Sequence, residues 1–477
     1  MKGEANLPEN DDINELVLQF EKLKMGKGGG YISEESFTRI IDHFDDQDSF
    51  SDAMEAADMG ILQFPYSASL LVKKADLLIA GRQYKKALSL LDKAEILDKN
   101  DIDIYILRTD AYLALDMQSK AVSLLENAIQ HFEGDERIDL LFELADVYDD
   151  YEAFEKIFDC LKLILEYDPT NEEALYKICF WTDFTGRNEE SIRIHLAIID
   201  ENPYSELAWF NLAAAYQGLR LYEKSIDAYQ YCIDINEKFD YAYRNMADAL
   251  MRLRRYKEAI ECLEKVIELA RPEDLIYQAI GFCYEKLKNY AQARFYYRKA
   301  SHLNPDNAKL YEKIARSYMN EHKYSQAVKY LEMALRSFRL EPEFNLAMGE
   351  CMVKLGKSRE SVHYFITAVH SKPRNLKNWE ALLETLFDNE QYEEAENHLN
   401  LAEQKTGNKA ILKIYKAAIL IAQGKIKEGI VCLENILSTS PKHLKNFMKL
   451  YPASIKYPQV VEVIIKYKRR KGSKGSK

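Results

Sequence analysis

The sequence predicts an all-α protein built as a solenoid of stacked helical hairpins. Three observations lead there. A pattern of residue types returns every 34 residues from Glu34 to His443. Within each period, apolar residues recur at three- and four-residue spacing, as on the buried face of an amphipathic helix. No segment alternates apolar and polar residues over a strand's length, so no sheet is expected.

Taken in order, the elements begin with a polar stretch, residues 1–12, expected to fray. Ile13–Met25 carries Ile13, Leu16, Val17, Phe20 and Leu23 on one stripe and predicts a capping helix. Gly26-Lys27-Gly28-Gly29-Gly30 then reads as a flexible joint. It is not a phosphate loop, because the G-x-x-x-x-G-K-[ST] spacing is missing and no strand precedes it. Residues 1–33 therefore form a tail, a cap and a joint.

Residues 34–443 hold the repeats, which start near 34, 68, 102, 138, 172, 206, 240, 274, 308, 342, 376 and 410, twelve in all, with one two-residue insertion before Ile138. Numbered within a period, position 8 is small at Ala213, Ala247, Gly281, Ala315 and Gly349. Position 20 is small at Ser225, Ala259, Ala293, Ala327, Ser361, Ala395 and Gly429, and position 27 holds Ala300, Ala334, Ala368 and Ala402. Small residues at these places let helix backbones approach closely. Position 32 carries Pro65, Pro169, Pro203, Pro305, Pro373 and Pro441, which end one hairpin before the next. Breaks at Gly81-Arg82-Gln83, Gly218-Leu219-Arg220 and Leu355-Gly356-Lys357 divide each period into two helices. Lys74 and Arg108 at position 7, and Ile157 at position 20, depart from the pattern. One hairpin cannot bury its own apolar face, and contiguous stacking supplies the missing neighbour.

The pattern resembles the tetratricopeptide repeat. The copy from Asp274 shows it best, with Tyr277, Ile280-Gly281, Tyr284, Ala293, Tyr297, Ala300 and Pro305. The resemblance implies a right-handed superhelix in which the first helix of each hairpin lines the concave side. It also implies a non-enzymatic protein-interaction scaffold, cytoplasmic and bacterial.

After the repeats, Leu444–Leu450 continues a helix, and Pro452 and Pro458 interrupt it. Val460, Val461, Ile464 and Ile465 predict a last helix, so residues 444–466 are expected to cap the stack. Residues 467–477 read as a disordered basic tail containing Lys468-Arg469-Arg470-Lys471.

Composition narrows the function. The net charge of −12 argues against a duplex-DNA binder, which needs a basic face. No apolar run reaches the roughly 20 residues of a membrane span, and the N-terminus shows neither a signal-peptide core nor a lipidation motif. Seven cysteines lack a C-x-x-C pair and read as small core residues in a reducing compartment. Nine histidines form no H-E-x-x-H, and His195, at the usually apolar position 24, reads as an inter-helix residue. No catalytic residues, metal site or cofactor are expected.

Function then falls to the surface of the first helices. With the core stripe at positions 4, 7, 8 and 11, positions 5, 9 and 12 lie about 100° to one side, and 2, 6 and 13 just beyond. From Glu172 onward these hold Tyr176, Phe180, Phe184, Phe210, Asn211, Arg244, Asn245, Asp248, Gln278 and Phe282. Aromatics and arginine are the types that anchor interfaces. Asn211 and Asn245 at position 6 resemble the asparagine ladder with which some family members hold a peptide backbone, since an amide both donates and accepts. The family's carboxylate clamp for chaperone tails has no match here. Glu350, Glu380 and Glu384 turn the later face acidic, toward a basic ligand. The expected partner is a protein or peptide segment in the concave groove. The alternative is a regulator whose basic tail engages nucleic acid or anionic membrane.

Overall fold

A computed structural model describes residues 13–27, 30–271 and 273–472, with side chains as far as Tyr467. The stretch 1–12, Gly28, Gly29 and the end of the basic tail, 473–477, lie outside the described residues. The chain divides into two compact units, Met1–Ala242 and Tyr243–Lys477. The first runs α1 (Ile13–Lys24), α2 (Glu34–Asp46), α3 (Phe50–Gln63), α4 (Ala68–Ala80), α5 (Tyr84–Leu97), α6 (Ile102–Ala114), α7 (Gln118–Ala128), α8 (Gly134–Asp150), α9 (Phe154–Tyr167), α10 (Glu172–Thr185), α11 (Asn188–Glu201), α12 (Glu206–Gly218) and α13 (Tyr222–Ile235). From there follow α14 (Asp240–Arg252), α15 (Tyr256–Leu269), α16 (Asp274–Lys286), α17 (Tyr290–Leu303), α18 (Ala308–Asn320), α19 (Tyr324–Ser337), α20 (Pro342–Lys354), α21 (Ser358–Ser371), α22 (Leu376–Asp388), α23 (Tyr392–Thr406), α24 (Ala410–Ala422), α25 (Ile426–Thr439), α26 (Leu444–Leu450) and α27 (Pro458–Gly472). The architecture is an all-α repeat solenoid, with no strand among the described residues.

Local chemistry sets the helix ends. The residue before each first helix sits where an N-cap belongs. Ser67 Oγ accepts from the Leu70 N–H at 3.1 Å, and Asn171 Oδ1 from Ala174 at 2.9 Å. At the other end, one residue per hairpin turns left-handed, and most are not glycine: Asp48, Arg82, Asp116, Glu152, Arg220, Arg254, Lys288, His322 and Glu390. The left-handed turn lets Gln83 N–H reach Leu78 O at 2.7 Å and Leu221 N–H reach Tyr216 O at 2.9 Å. Gly81 and Gly218 are not the left-handed residues; they are small because space is short. A Cβ on Gly218 would lie 2.2 Å from Asn188 Oδ1, and one on Gly81 2.9 Å from the Phe50 ring.

The insertion is absorbed by helix rather than loop. α8 starts at Gly134, ahead of the register point Ile138, and is 17 residues long. Asp135 and Glu136 in its first turn suit the positive end of the helix dipole.

Small and large residues interlock inside each hairpin. A Cβ on Gly281 would lie 2.6 Å from the Tyr297 ring, and one on Gly349 2.5 Å from Phe365. The position-7 departures are ion-paired. Arg108 is buried and holds Asp92 and Glu95 of α5, each at 2.7 Å, while Lys74 pairs with Asp58. At the N-terminal end, Leu16 and Phe20 of α1 join Phe37, Ile40 and Ile41 of α2 in one cluster. At the C-terminal end, the buried stripe of α27 is Val460, Val463, Ile464 and Tyr467, and Ile465 faces out. Helix α27 continues through Gly472, so 467–472, expected as part of a disordered tail, are helical.

Candidate interaction surface

The candidate residues fall in both units. In the first, Tyr176, Phe180 and Phe184 stand four residues apart on α10, on one stripe, and are 74%, 61% and 56% exposed. Phe184 meets the Phe154 ring edge-on at 4.7 Å, and Phe180 meets Trp181 at 5.0 Å. Phe154 stacks on Trp181 at 5.6 Å. Phe154 and Phe184 also border a shallow depression of about 340 Å³ with Glu152, Lys156 and Thr185. Phe180 and Phe184 stand in water on the half-buried rings of Phe154 and Trp181, and the four together form an apolar anchor.

Two neighbours turn inward instead. Asn211 is buried, and its amide donates to Leu175 O at 2.6 Å and lies 3.2 Å from His195 Nε2. His195 Nδ1 lies 2.7 Å from Ser191 O, a partner that can only accept. The neutral Nδ1–H tautomer satisfies both contacts, with Nε2 accepting from Asn211. Burial pushes the His195 pKa down to about 4. Asn211 therefore joins α10, α11 and α12, is buried and has no side-chain N–H left for a ligand, which corrects its assignment as a rung of an asparagine ladder. Phe210 is half-buried against Tyr229 and Phe239, with centroids 5.7 and 5.2 Å away. It packs between helices rather than facing a groove.

In the second unit, Asp248, Gln278 and Phe282 line one depression of about 370 Å³ with Arg252 and Lys313. Gln278 donates to Asp274 at 3.2 Å and accepts from Lys313 Nζ at 3.2 Å. Partial burial pushes the Lys313 pKa down. Arg244 pairs with Glu273 at 3.1 Å and Asp248 with Arg252 at 3.4 Å. Asn245 is half-buried on α14.

The structure adds a feature the sequence reading passed over. Position 9 of the first four periods is Asp42, Asp76, Asp110 and Asp146. Partial burial, then Asp45, pushes the Asp76 carboxyl up. Burial and Asp76 do the same to Asp110. Glu143 is pushed up to about 7 by burial and then by Asp110, Asp146 and Asp150. Each carboxylate feels one on the neighbouring helix, so α2, α4, α6 and α8 share one acidic face. The signal was in the register, one Asp every period, but the search favoured aromatics and amides.

Among the described residues no group of His, Cys, Asp or Glu is placed to hold a metal ion, and no helix is long and apolar enough to cross a membrane. The cysteines are free, with Cys160, Cys232, Cys262, Cys283 and Cys351 buried.

Comparison with known families decides the class. Residues 207–239 match the tetratricopeptide-repeat model, and residues 236–347 match the model of the N-terminal tetratricopeptide-repeat region of Psidin. The chain is a tetratricopeptide-repeat protein. Among curated proteins, none matches this repeat protein significantly. Solved structures similar to it include YrrB, described as a repeat protein with an unusual peptide-binding site, at 16% identity, covering 39% of this chain and 96% of that one, TM-score 0.35. The C-terminal part of a repeat protein from Cytophaga hutchinsonii is 14% identical over 50% of this chain and 98% of that one, TM-score 0.45. Cut9–Hcn1 of the APC/C is 12% identical over 83% and 96%, TM-score 0.34. At such identities these tetratricopeptide-repeat structures carry no functional argument.

Proposed function

We propose that this repeat protein is a non-enzymatic interaction scaffold that seats an extended or helical segment of a partner protein on the exposed face of its first helices. The observation that carries the reading is the aromatic stripe Tyr176, Phe180 and Phe184, which stays in water while equivalent apolar side chains elsewhere are packed. Exposed aromatic clusters of this kind are typical binding anchors. Asp248, Gln278 and Phe282, around their own depression, are a further contact region in this reading.

The test is affinity capture by the wild type beside Tyr176→Ser/Phe180→Ser/Phe184→Ser, with equal helicity checked by circular dichroism. Asn211 is left intact because its loss would disturb packing. A partner lost with the variant supports the reading. Equal capture by both, abolished by deleting Lys468–Lys477 and steeply salt-dependent, would move the function to the basic tail.

A further inference from the structure

The aromatic anchor on α10 adjoins the acidic face. Lys177, on α10, lies over the Phe142 ring of α8 at 4.9 Å, so the two helices meet on this side. Helices α4 and α6 pack together, as do α6 and α8. Asp76, Asp110 and Asp146 are exposed, one per helix. Across positions 2, 5, 6, 9, 12 and 13 of these three helices the single cation is Lys73. Lys73 is already paired with Asp42 at 2.7 Å. Lys73 and Lys177 offset part of the negative charge on this face, and the remainder is drawn out as a line rather than gathered into a metal-binding group among the described residues.

Building on the scaffold reading, we infer that α4, α6, α8 and α10 dock an extended basic segment of a partner protein, with Lys or Arg at every third residue and an aromatic or apolar residue at the Phe180–Phe184 end. The spacing follows from geometry. Packed helices lie roughly 8–10 Å apart, and a chain extended as polyproline II rises about 3.1 Å per residue and returns every third side chain to the same face. One carboxylate per helix therefore meets one residue in three. Crowding of like charges supports the same occupant, because a bound cation relieves the repulsion that, after burial, lifts Glu143. At the α10 end, the ring faces of Phe180 and Phe184 accept either an apolar side chain or a guanidinium.

The experiment uses the full chain and fluorescein-labelled twelve-residue peptides read by anisotropy. One carries a terminal tyrosine and lysine at every third position, one has the same composition with its lysines contiguous, and one has glutamate for lysine. The spaced peptide is expected to bind about tenfold more tightly than the contiguous isomer, and the glutamate peptide not at all. Asp76→Asn/Asp110→Asn/Asp146→Asn should weaken binding at least tenfold and flatten its salt dependence. Phe180→Ser/Phe184→Ser should weaken it about tenfold with the salt dependence kept. Equal binding of the two lysine isomers, or full affinity in the triple Asn variant, overturns the inference. If the glutamate peptide binds and depends on Phe180 and Phe184, the basic-segment inference falls and the scaffold reading stands. If no peptide depends on those rings, both fall.

Discussion

The two units fill the same interior slot differently in one respect: only the second puts glycine there. In the first, positions 8 and 24 pair Ala75 with Leu91 and Ala145 with Leu161, all buried. In the second, Ala315 still pairs with Leu331, but two periods pair Gly281 with Tyr297 and Gly349 with Phe365. A small residue faces a medium one, or glycine faces a ring, and Ala213 with Tyr229 in the first unit lies between the two types. Outside, position 9 follows no such rule: Asp76, Asp110 and Asp146 in one unit, Phe282, Arg316 and Glu350 in the other. Packing density constrains the interior to compensating pairs. Solvent imposes no constraint of that kind on the face, so the face is where ligand preference is written.

The strongest way to break the comparison is to give one unit the other's half-pair. Gly349→Ala places a methyl against Phe365 and should lose about 2–3 kcal/mol in urea unfolding. Adding Phe365→Leu converts the pair to the first unit's type and should recover at least half. If the two changes are simply additive, the slots are not equivalent.

Next in size is the polar network of the first unit. Asn211→Ala leaves the His195 Nε2 acceptor buried without its donor and should cost about 2 kcal/mol. The depressed His195 pKa means that its contribution is present above the unfolded value of 6.5 and is lost as pH falls toward 4. Glu143 works the other way. Its carboxyl is raised from 4.5 to about 7, so the folded state holds a proton the unfolded chain has released, and stability falls as pH rises through that window. Glu143→Gln should gain on the order of 1 kcal/mol at pH 8, discounted for partial exposure. It should also steepen the rise of stability with pH between 4.5 and 6.5 by leaving His195 unopposed. A flat profile in that variant would remove His195 as the cause.

The smallest effect concerns the turns. Arg220→Gly relieves a left-handed residue in the first unit and should raise stability by about 0.5–1 kcal/mol. Gly356→Ala, at the same turn in the second unit, should lower it by a similar amount. Measured by thermal unfolding, the two shifts should have opposite signs.

Much of the fold was legible because the period is local. Prolines at position 32 and small residues at 8 and 20 each act within one hairpin, so residue type alone marks where hairpins end and where helices pack closely. The conformation of the turns was not legible. Arg82 and Arg220, rather than Gly81 and Gly218, take the left-handed conformation because the hairpin's hydrogen bonds outweigh their strain. Asn211 was misplaced for a related reason. A helical wheel gives an angle but not the depth to which a neighbouring helix covers it, and His195 on α11 closes over that position. The acidic face was in plain sight but needed the four periods laid side by side.

Those turns leave one further trace. Arg220, Arg254 and Lys288 are exposed, left-handed and spaced one period apart, with Arg82 at the corresponding place nearer the N-terminus. Each is a trypsin site clamped inside a tight hydrogen-bonded corner, and a protease needs an opened, extended strand. Cleavage there waits on the local opening of one identified hairpin. Limited digestion would yield a ladder with 34-residue rungs, in which the rate at each rung reads out how firmly that part of the stack is held.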